Sequence, residues 1–181
     1  MLQVAIPVIT LLFGQSPLLA QMDHAKSLAP FVPSPITVVE RMLEAAQVKQ
    51  GETVYDLGCG DGRVLITAVE KFRAKAVGVE LSQKLADAAR GAIKQRGYEN
   101  RASIIQGNLL DVDLSNADVV TLYLLTDANS QLKPRLEKYL HPGARVVSHD
   151  FEIRGWKPVR VEEVQAHRRM HKIYVYEVGK K

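Results

Sequence analysis

The chain has 181 residues, of which 46% are hydrophobic and 24% charged, and this predicts one globular domain without accessory domains. A formal net charge of +4 permits an acidic partner, but the densest basic run, Arg168–Lys172, is too short for the basic stripe typical of nucleic-acid-binding proteins. The single cysteine, Cys59, excludes an intramolecular disulfide and fits a reducing compartment.

The first twenty residues are unusually apolar. Val4–Gly14 has the length of a signal-peptide core, and only the longer stretch Leu2–Ala20 approaches the roughly 20 residues of a membrane span. The first basic residue, Lys26, follows this stretch, so the positive-inside rule predicts that the folded domain stays on the cytoplasmic side. We interpret residues 1–22 as a membrane anchor or interfacial segment, with a cleaved signal peptide or an overextended start as alternatives. Residues 23–34 are interpreted as a linker.

From residue 35 onward, the chain alternates predicted helices and strands. Ser34 and Pro35 are predicted as the cap and first residue of an opening helix. The five buried strands predicted next are Thr53–Leu57, Ala76–Glu80, Ala102–Gln106, Ala117–Tyr123 and Arg145–Ser148, with helices at Arg63–Phe72, Ser82–Arg96 and Ala128–Leu140. Val159–Val164 and Lys172–Val178 alternate polar and apolar residues and predict a hairpin. The pattern indicates an α/β fold with a doubly wound, mostly parallel, Rossmann-like sheet, to which the C-terminal hairpin adds an antiparallel edge.

The turn after the first predicted strand carries three glycines at alternate positions, Gly58, Gly60 and Gly62. Glycine permits positive φ and close approach of a ligand, and the following helix begins with unpaired N–H groups and a positive dipole end. The third glycine comes one residue too early for a dinucleotide motif, and no Gly-Lys-Ser/Thr ending follows, so the spacing excludes both phosphate-binding loops. The turn, with Asp56 before it, instead resembles the first motif of class I S-adenosylmethionine-dependent methyltransferases.

Further residues are predicted to bind that methyl donor. Asp56 is placed to face the ammonium of its methionine moiety, with helix capping as the alternative. Glu80 ends the second strand, where an acidic side chain binds ribose hydroxyls. Asn108 and Leu109 follow the third strand and would contact adenine, with plain turn residues as the alternative. The complete predicted set is Asp56, Gly58, Cys59, Gly60, Gly62, Glu80, Leu81, Asn108 and Leu109.

Two strand-end residues are candidates for the reacting centre. Tyr123, after the fourth strand, can line a channel for an alkylamine and accept a hydrogen bond, or it can be a packed strand-end tyrosine. His149 is the titratable candidate after the fifth strand, with a structural histidine as the alternative. Neither is assigned as a general base. His167 and His171 are four residues apart without a third ligand, so no metal site is predicted.

A narrower resemblance covers roughly residues 31–178. It is to the archaeal broad-specificity protein-lysine methyltransferases and the mitochondrial family that modifies the c-ring protein of ATP synthase. The segments that carry it are Phe-Val-Pro-Ser-Pro at 31–35, Asp-Leu-Gly-Cys-Gly-Asp-Gly-Arg at 56–63, Tyr-Leu-Leu-Thr at 123–126 and Arg-Val-Val-Ser-His-Asp-Phe at 145–151 before Gly155 and Trp156. The resemblance implies a methyltransferase domain over residues 35–181, S-adenosyl-L-methionine as cofactor and accessible protein lysines as acceptors. Mitochondrial relatives also have a membrane-directed segment, which fits membrane contact through residues 2–20.

The implied reaction is direct displacement by a neutral lysine amine, and desolvation beside the cationic sulfonium lowers the amine pKa without a dedicated base. Two other functions stay open. Methylation of RNA or a small molecule is permitted by the net charge, although 6% aromatic residues offer few stacking platforms. A non-catalytic, membrane-tethered donor-binding protein would show a damaged cofactor site. No oligomeric state is predicted.

Overall fold

The computed structural model describes residues 31–179, so the predicted segment 1–22 and most of the predicted linker lie outside the described residues. The predicted helices and strands are confirmed with small shifts at their ends. In chain order they are α1 (Ile36–Ala45), β1 (Thr53–Leu57), α2 (Arg63–Phe72), β2 (Lys75–Glu80), α3 (Gln83–Gln95), β3 (Ala102–Gln106), β4 (Val119–Leu122), α4 (Thr126–Tyr139), β5 (Arg145–His149), β6 (Arg160–Ala166) and β7 (Arg169–Glu177).

The strands form one seven-stranded sheet in the order β3-β2-β1-β4-β5-β7-β6. Strands β1 to β5 are parallel to one another, and β7 runs antiparallel to β5. The predicted α/β class and the C-terminal hairpin are confirmed, but the position of the hairpin's antiparallel strand is not. The antiparallel strand β7 lies inside the sheet, and the edge strand β6 runs parallel to β5. Burial explains this, because β7 buries Ile173, Val175 and Tyr176 whereas β6 has no fully buried residue.

Two hydrophobic clusters cover the two faces of the sheet. One packs α1 and α2 against the sheet through residues such as Val39 and Leu65, and the other packs α4 through Leu132 and Leu136. This arrangement places the carboxyl ends of β1, β2, β4 and β5 side by side at one edge of the domain. Within residues 31–179, no helix has the length and apolar character needed to cross a membrane.

The start of α1 differs from the prediction. Pro35 is the N-cap residue, and no side chain caps the helix. The Ser34 hydroxyl instead lies 2.8 Å from Nδ1 of His149. A buried imidazole therefore takes the hydroxyl that the sequence offered to the helix. The serine cap predicted for α3 is confirmed, because Ser82 Oγ accepts a hydrogen bond from Leu85 N.

Candidate functional site

The glycine loop, residues 58–62, joins β1 to α2 and is bonded closely to β2. Its three glycines have φ of +86°, +53° and +79°, in the left-handed region that side chains disfavour. The N–H groups of Gly58 and Cys59 both donate to the carbonyl of Val79, at 2.8 and 3.0 Å. Gly62 N donates to Cys59 O. These N–H groups thus maintain the shape of the loop itself, which agrees with the predicted absence of a phosphate cradle.

Residues 31–35, here called the strap, cross this loop. A Cβ added to Gly60 would lie 2.3 Å from Cε2 of Phe31, so the Phe31 ring rests on the bare backbone of that glycine. Farther along the strap, Arg63 Nη1 donates to Ser34 O at 2.8 Å, while its Nη2 pairs with Asp61 at 2.6 Å. The first residue of α2 therefore fixes the strap over the predicted donor loop.

Glu80 lies at the end of β2 beside the loop. Its Oε2 accepts from Gly60 N at 2.9 Å, and its Oε1 accepts from Ser82 N at 2.8 Å. An ionised carboxylate has about four lone-pair positions, so acceptor capacity remains on both oxygens for vicinal ribose hydroxyls. Leu81 next to it accepts a hydrogen bond from Gln106 on its carbonyl.

Asp56, the fourth residue of β1, is a buried carboxyl at the base of the loop. Its Oδ1 accepts from Thr121 Oγ1 at 2.7 Å, and no helix N–H is its partner, so helix capping does not account for it. Burial raises the pKa of Asp56 to about 7, with Glu80 and Asp61 adding to the rise and Thr121 opposing it. A buried carboxyl with this pKa is stabilised as the anion by an incoming cation, which is the charge that the methionine ammonium carries.

The Cys59 side chain points away from solvent. A Cβ added to Gly78 would lie 2.6 Å from Cys59 Sγ, so the thiol packs directly on the glycine of β2. Burial raises the pKa of the Cys59 thiol well above its usual range. Cys59 can therefore contact a donor through its backbone, and the buried thiol is not a nucleophile.

Asn108 and Leu109 begin the loop after β3. The Asn108 side chain accepts from Leu110 N at 3.0 Å, which makes it the first residue of an Asx turn. One lone pair of the amide oxygen stays available for an adenine amino group. Leu109 is half-buried against the cluster below α4. The geometry thus accommodates both the predicted adenine contacts and the alternative of turn residues.

His149 is completely buried at the end of β5 and belongs to a chain of hydrogen bonds. His171 Nε2 lies 3.3 Å from the carbonyl of Ala166, which can only accept, so this nitrogen carries the proton. His171 Nδ1 then accepts from His149 Nε2 at 2.8 Å, and His149 Nδ1 accepts from Ser34 Oγ. Burial lowers the pKa of His149 to about 4, which keeps it neutral. Neither ring nitrogen of His149 is left for an acceptor side chain.

Tyr123 follows β4 and stacks on the His149 ring, with 3.8 Å between the ring centroids. Its hydroxyl lies 3.4 Å from Asp150 Oδ2 and 3.3 Å from an Arg169 nitrogen. Leu57 of β1 is level with Leu122 of β4, so Tyr123 follows at the level of the glycine loop. Tyr123 is half-exposed, and of the two predicted reacting-centre residues it is the one with an accessible polar atom.

His149, Asp150 and His171 bring one potential ligand atom each within 4.8 Å of one another. Three features oppose metal binding. Arg169 already holds Asp150 Oδ2 at 2.6 Å, the two imidazoles are bonded to each other, and their outer nitrogens have partners. The three groups are satisfied without an ion, so no metal role is assigned to them. The predicted absence of a metal stays a prediction.

The sequence did not single out several residues that contact the predicted ones. Asp150 could have been found from its place beside His149 at a strand end. Thr121 gave no signal because it reads as one more buried strand position. Arg169 and His171 lie on the distant hairpin, and only the pairing of β7 with β5 brings them to Tyr123.

The residues present fit an S-adenosylmethionine site. The bare backbone of the glycine loop leaves room that side chains would fill, and Glu80 retains free acceptor positions at its edge. The buried carboxyl of Asp56 gains from a cation near its oxygens. Ribose, ammonium and adenine contacts can therefore come from Glu80, Asp56 and Asn108 respectively, as predicted from the sequence.

Comparisons with known proteins agree with this geometry. Residues 56–160 match the family model of the ANTKMT methyltransferase domain. The chain is 53% identical over 151 residues to a protein-lysine N-methyltransferase of Saccharolobus islandicus, covering 83% of this chain and 94% of that relative. It is 31% identical over 75% of its length to the human lysine N-methyltransferase of the ATP synthase c-ring protein, and it spans 58% of that longer enzyme.

Among solved structures, the chain is similar to an RNA methyltransferase from Salinibacter ruber in complex with S-adenosyl-L-homocysteine. The TM-score is 0.78 at 40% identity, covering 83% of this chain and 95% of that one. The likeness extends over nearly the whole described domain, so the fold and the donor-binding edge of the sheet are shared.

Proposed function

The chain belongs to the ANTKMT methyltransferase family, and we propose that it transfers methyl groups from S-adenosylmethionine to lysine side chains of proteins. The observation that carries this proposal is the 53% identity to a protein-lysine N-methyltransferase over 94% of that protein's length. The intact donor site supports it, because Asp56, the three loop glycines and Glu80 are all in place. A non-catalytic, donor-binding protein is disfavoured for the same reason.

The donor is proposed to lie along the carboxyl ends of β1, β2 and β3. Glu80 would accept from its ribose hydroxyls, Asp56 would attract its ammonium, and Asn108 would accept from its adenine amino group. When bound, S-adenosylmethionine supplies a methyl group on a cationic sulfonium. The strap would then restrict access to this part of the site, because Phe31 already lies on Gly60.

The acceptor is proposed to approach beside Tyr123. This side chain is half-exposed at the level of the glycine loop, so its hydroxyl can contact an incoming amine. A lysine must lose a proton before it can act as nucleophile, and its ordinary pKa is near 10.4. An apolar channel beside a cationic ligand lowers that pKa. Orientation of the amine then contributes most of the rate, so no general base is assigned among the described residues.

A labelling experiment tests the proposal. Purified protein is incubated with S-adenosylmethionine labelled on the methyl group and a mixture of folded proteins, and the products are hydrolysed to amino acids. Labelled methyl-lysine is expected. The matched control uses the same acceptors after reductive dimethylation of their lysines, which should abolish labelling. Label on another amino acid, or on nucleic acid alone, would refute lysine as acceptor.

RNA methylation is the second candidate, and the Salinibacter likeness favours it because that protein is described as an RNA methyltransferase. The net charge of +4 is compatible with an acidic substrate. Protease and nuclease treatment of the labelled products separates the candidates. Label released by nuclease and resistant to protease would establish RNA as the acceptor.

Membrane contact through residues 2–20 is a further part of the proposal, with the domain on the cytoplasmic side. Its support is the apolar sequence of Val4–Gly14 together with the first basic residue at Lys26. Co-sedimentation with vesicles tests it. Binding by the full chain is expected to be lost when Leu11 and Leu12 are replaced by Asp, and equal binding by both proteins would refute the contact.

A further inference from the structure

The carboxylate of Asp150 gathers several polar groups at the end of β5. Its Oδ2 accepts from Arg169 Nη2 at 2.6 Å and lies 3.4 Å from the Tyr123 hydroxyl. The other oxygen, Oδ1, accepts from the backbone N–H of Lys172 at 2.9 Å. His149 Nε2 lies 3.3 Å from Oδ2 as well. One carboxylate thus connects the strand end next to the glycine loop with the hairpin.

The backbone of Asp150 is in an unusual conformation. Its φ is +60°, in the left-handed region, where an L-residue other than Asn, Asp or Gly is costly. Such conformations persist when the surrounding contacts determine them, and they concentrate at functional sites. The conformation directs the side chain of Asp150 to Tyr123 and Arg169 on neighbouring strands.

The direction of each hydrogen bond follows from the chemistry of the groups. Burial opposes ionisation of Asp150, but hydrogen bonds from Arg169 and Lys172 N outweigh it and hold the pKa of Asp150 below its usual value. The ionised carboxylate can only accept, so the Tyr123 hydroxyl donates its proton to it. Arg169 can only donate, so it uses one lone pair of the Tyr123 oxygen at 3.3 Å. The other lone pair remains.

We propose that Asp150 is a positioning residue for methyl transfer, which together with Arg169 makes the Tyr123 hydroxyl a pure hydrogen-bond acceptor for the amine that is to be methylated. This inference rests on the proposed function, because it assigns Tyr123 to the amine acceptor. An amine must point its own lone pair at the methyl group. A hydroxyl free to rotate would donate its proton to that lone pair and block it, whereas a hydroxyl fixed by Asp150 can only take an N–H of the amine.

A double-mutant cycle tests this role. In Asp150→Asn, Oδ1 can still accept from Lys172 N, and asparagine tolerates the positive φ, so the fold should be retained. The amide NH₂ replaces Oδ2, and Tyr123 loses its proton acceptor. We expect kcat to fall about tenfold in Asp150→Asn and about tenfold in Tyr123→Phe, the scale of one hydrogen bond. The double variant should also fall about tenfold rather than a hundredfold, since both changes remove the same orientation.

The donor KM and the thermal midpoint provide the structural readout, and both should stay within twofold and within about 2 °C of the unchanged protein, as for surface changes generally. Glu163→Gln is the matched control, because it removes a carboxylate from the same hairpin, where an oxygen of Glu163 lies 4.0 Å from Lys172 Nζ and forms only a long, exposed ion pair. It should leave kcat unchanged.

Additive losses in the double variant, or an unchanged kcat in Asp150→Asn, would overturn the positioning role while wild-type lysine methylation continues. If the wild-type protein binds donor but forms no methyl-lysine, the proposed function fails, and the positioning role fails with it. The two failures are thereby distinguishable.

Discussion

The backbone N–H of Gly60 donates a 2.9 Å hydrogen bond to Oε2 of Glu80, so the residue predicted to bind ribose also holds the donor loop in shape. The other oxygen of Glu80 accepts from Ser82 N at the cap of α3. One carboxylate therefore fixes the loop after β1, the start of α3 and the proposed ribose position. Changing Glu80 must affect all three.

We expect Glu80→Ala to weaken binding of S-adenosylhomocysteine by about 2–3 kcal/mol, roughly 30- to 150-fold, because charge-assisted hydrogen bonds to both the loop and the ribose are lost. Titration calorimetry measures this directly. The control is Glu99→Ala, at an exposed glutamate in the turn after α3. Equal affinity in Glu80→Ala and wild type would contradict both the ribose contact and the loop contact.

Gly60→Ala should abolish donor binding and lower stability. The added Cβ would lie 2.3 Å from the Phe31 ring, and the φ of +53° is strained for alanine. Removing the ring in Gly60→Ala/Phe31→Ala should recover only part of the loss, since the backbone strain remains. Chemical denaturation and donor titration measure the two effects.

Gly91→Ala is the matched glycine control. Gly91 lies on the exposed face of α3, where nothing is within 4 Å of an added Cβ. This change should raise the unfolding free energy by about 0.5–1 kcal/mol, because alanine is the better helix former, and leave donor affinity unchanged. A Gly60→Ala variant that behaved like Gly91→Ala would show that the strap does not restrict the loop.

Donor affinity should increase as the pH rises from about 5.5 to 7. Burial raises the pKa of Asp56 to about 7, so in the free protein the carboxyl is mostly protonated below that pH. Binding the donor ammonium requires the ionised form, which releases a proton. Calorimetry at pH 6 in two buffers of different ionisation enthalpy detects that release. Asp56→Asn should bind more weakly and show no release, and the same proton release in this variant would exclude Asp56 as its source.

Stability should carry a contribution from His149 that is lost in acid. Burial lowers the pKa of His149 from 6.5 to about 4, so the unfolded chain binds a proton in this interval that the folded chain does not. This contribution is therefore complete above pH 6.5 and falls as the pH decreases to about 4. Asp56 acts with the opposite sign between about pH 4 and 7, because its folded pKa is raised.

Comparison of His149→Asn with wild type isolates the contribution of the histidine. The variant is expected to be less stable at pH 7, because Asn cannot bridge Ser34 and His171, and the stability difference should shrink towards pH 4. Urea titrations at several pH values measure it. His167→Asn, in the β6–β7 turn, is the control, and a stability difference independent of pH would refute the buried neutral imidazole.

Much of the fold could be predicted from the sequence, because local periodicity reports local structure. The apolar runs of β1, β2 and β4 and the cap of α3 were confirmed with small shifts. The order of the strands in the sheet follows from packing between distant segments. For that reason the sequence showed the hairpin but misplaced its antiparallel strand, which the sheet places between β5 and β6.

The sequence by itself determined the donor chemistry, because the spacing of three glycines and the carboxylates of Asp56 and Glu80 lie within one β-α-β unit, where neighbours in sequence become neighbours in space. Only the tertiary structure decided the surroundings of the acceptor position. Ser34, Tyr123, His149, Asp150 and His171 come from the strap, two strand ends and the hairpin, and their contacts depend on the register of β5 with β7. Hydrogen bonds between such distant segments leave no periodic signal in the chain, so the burial of His149 and the fixing of Tyr123 by Asp150 were decided by folding alone.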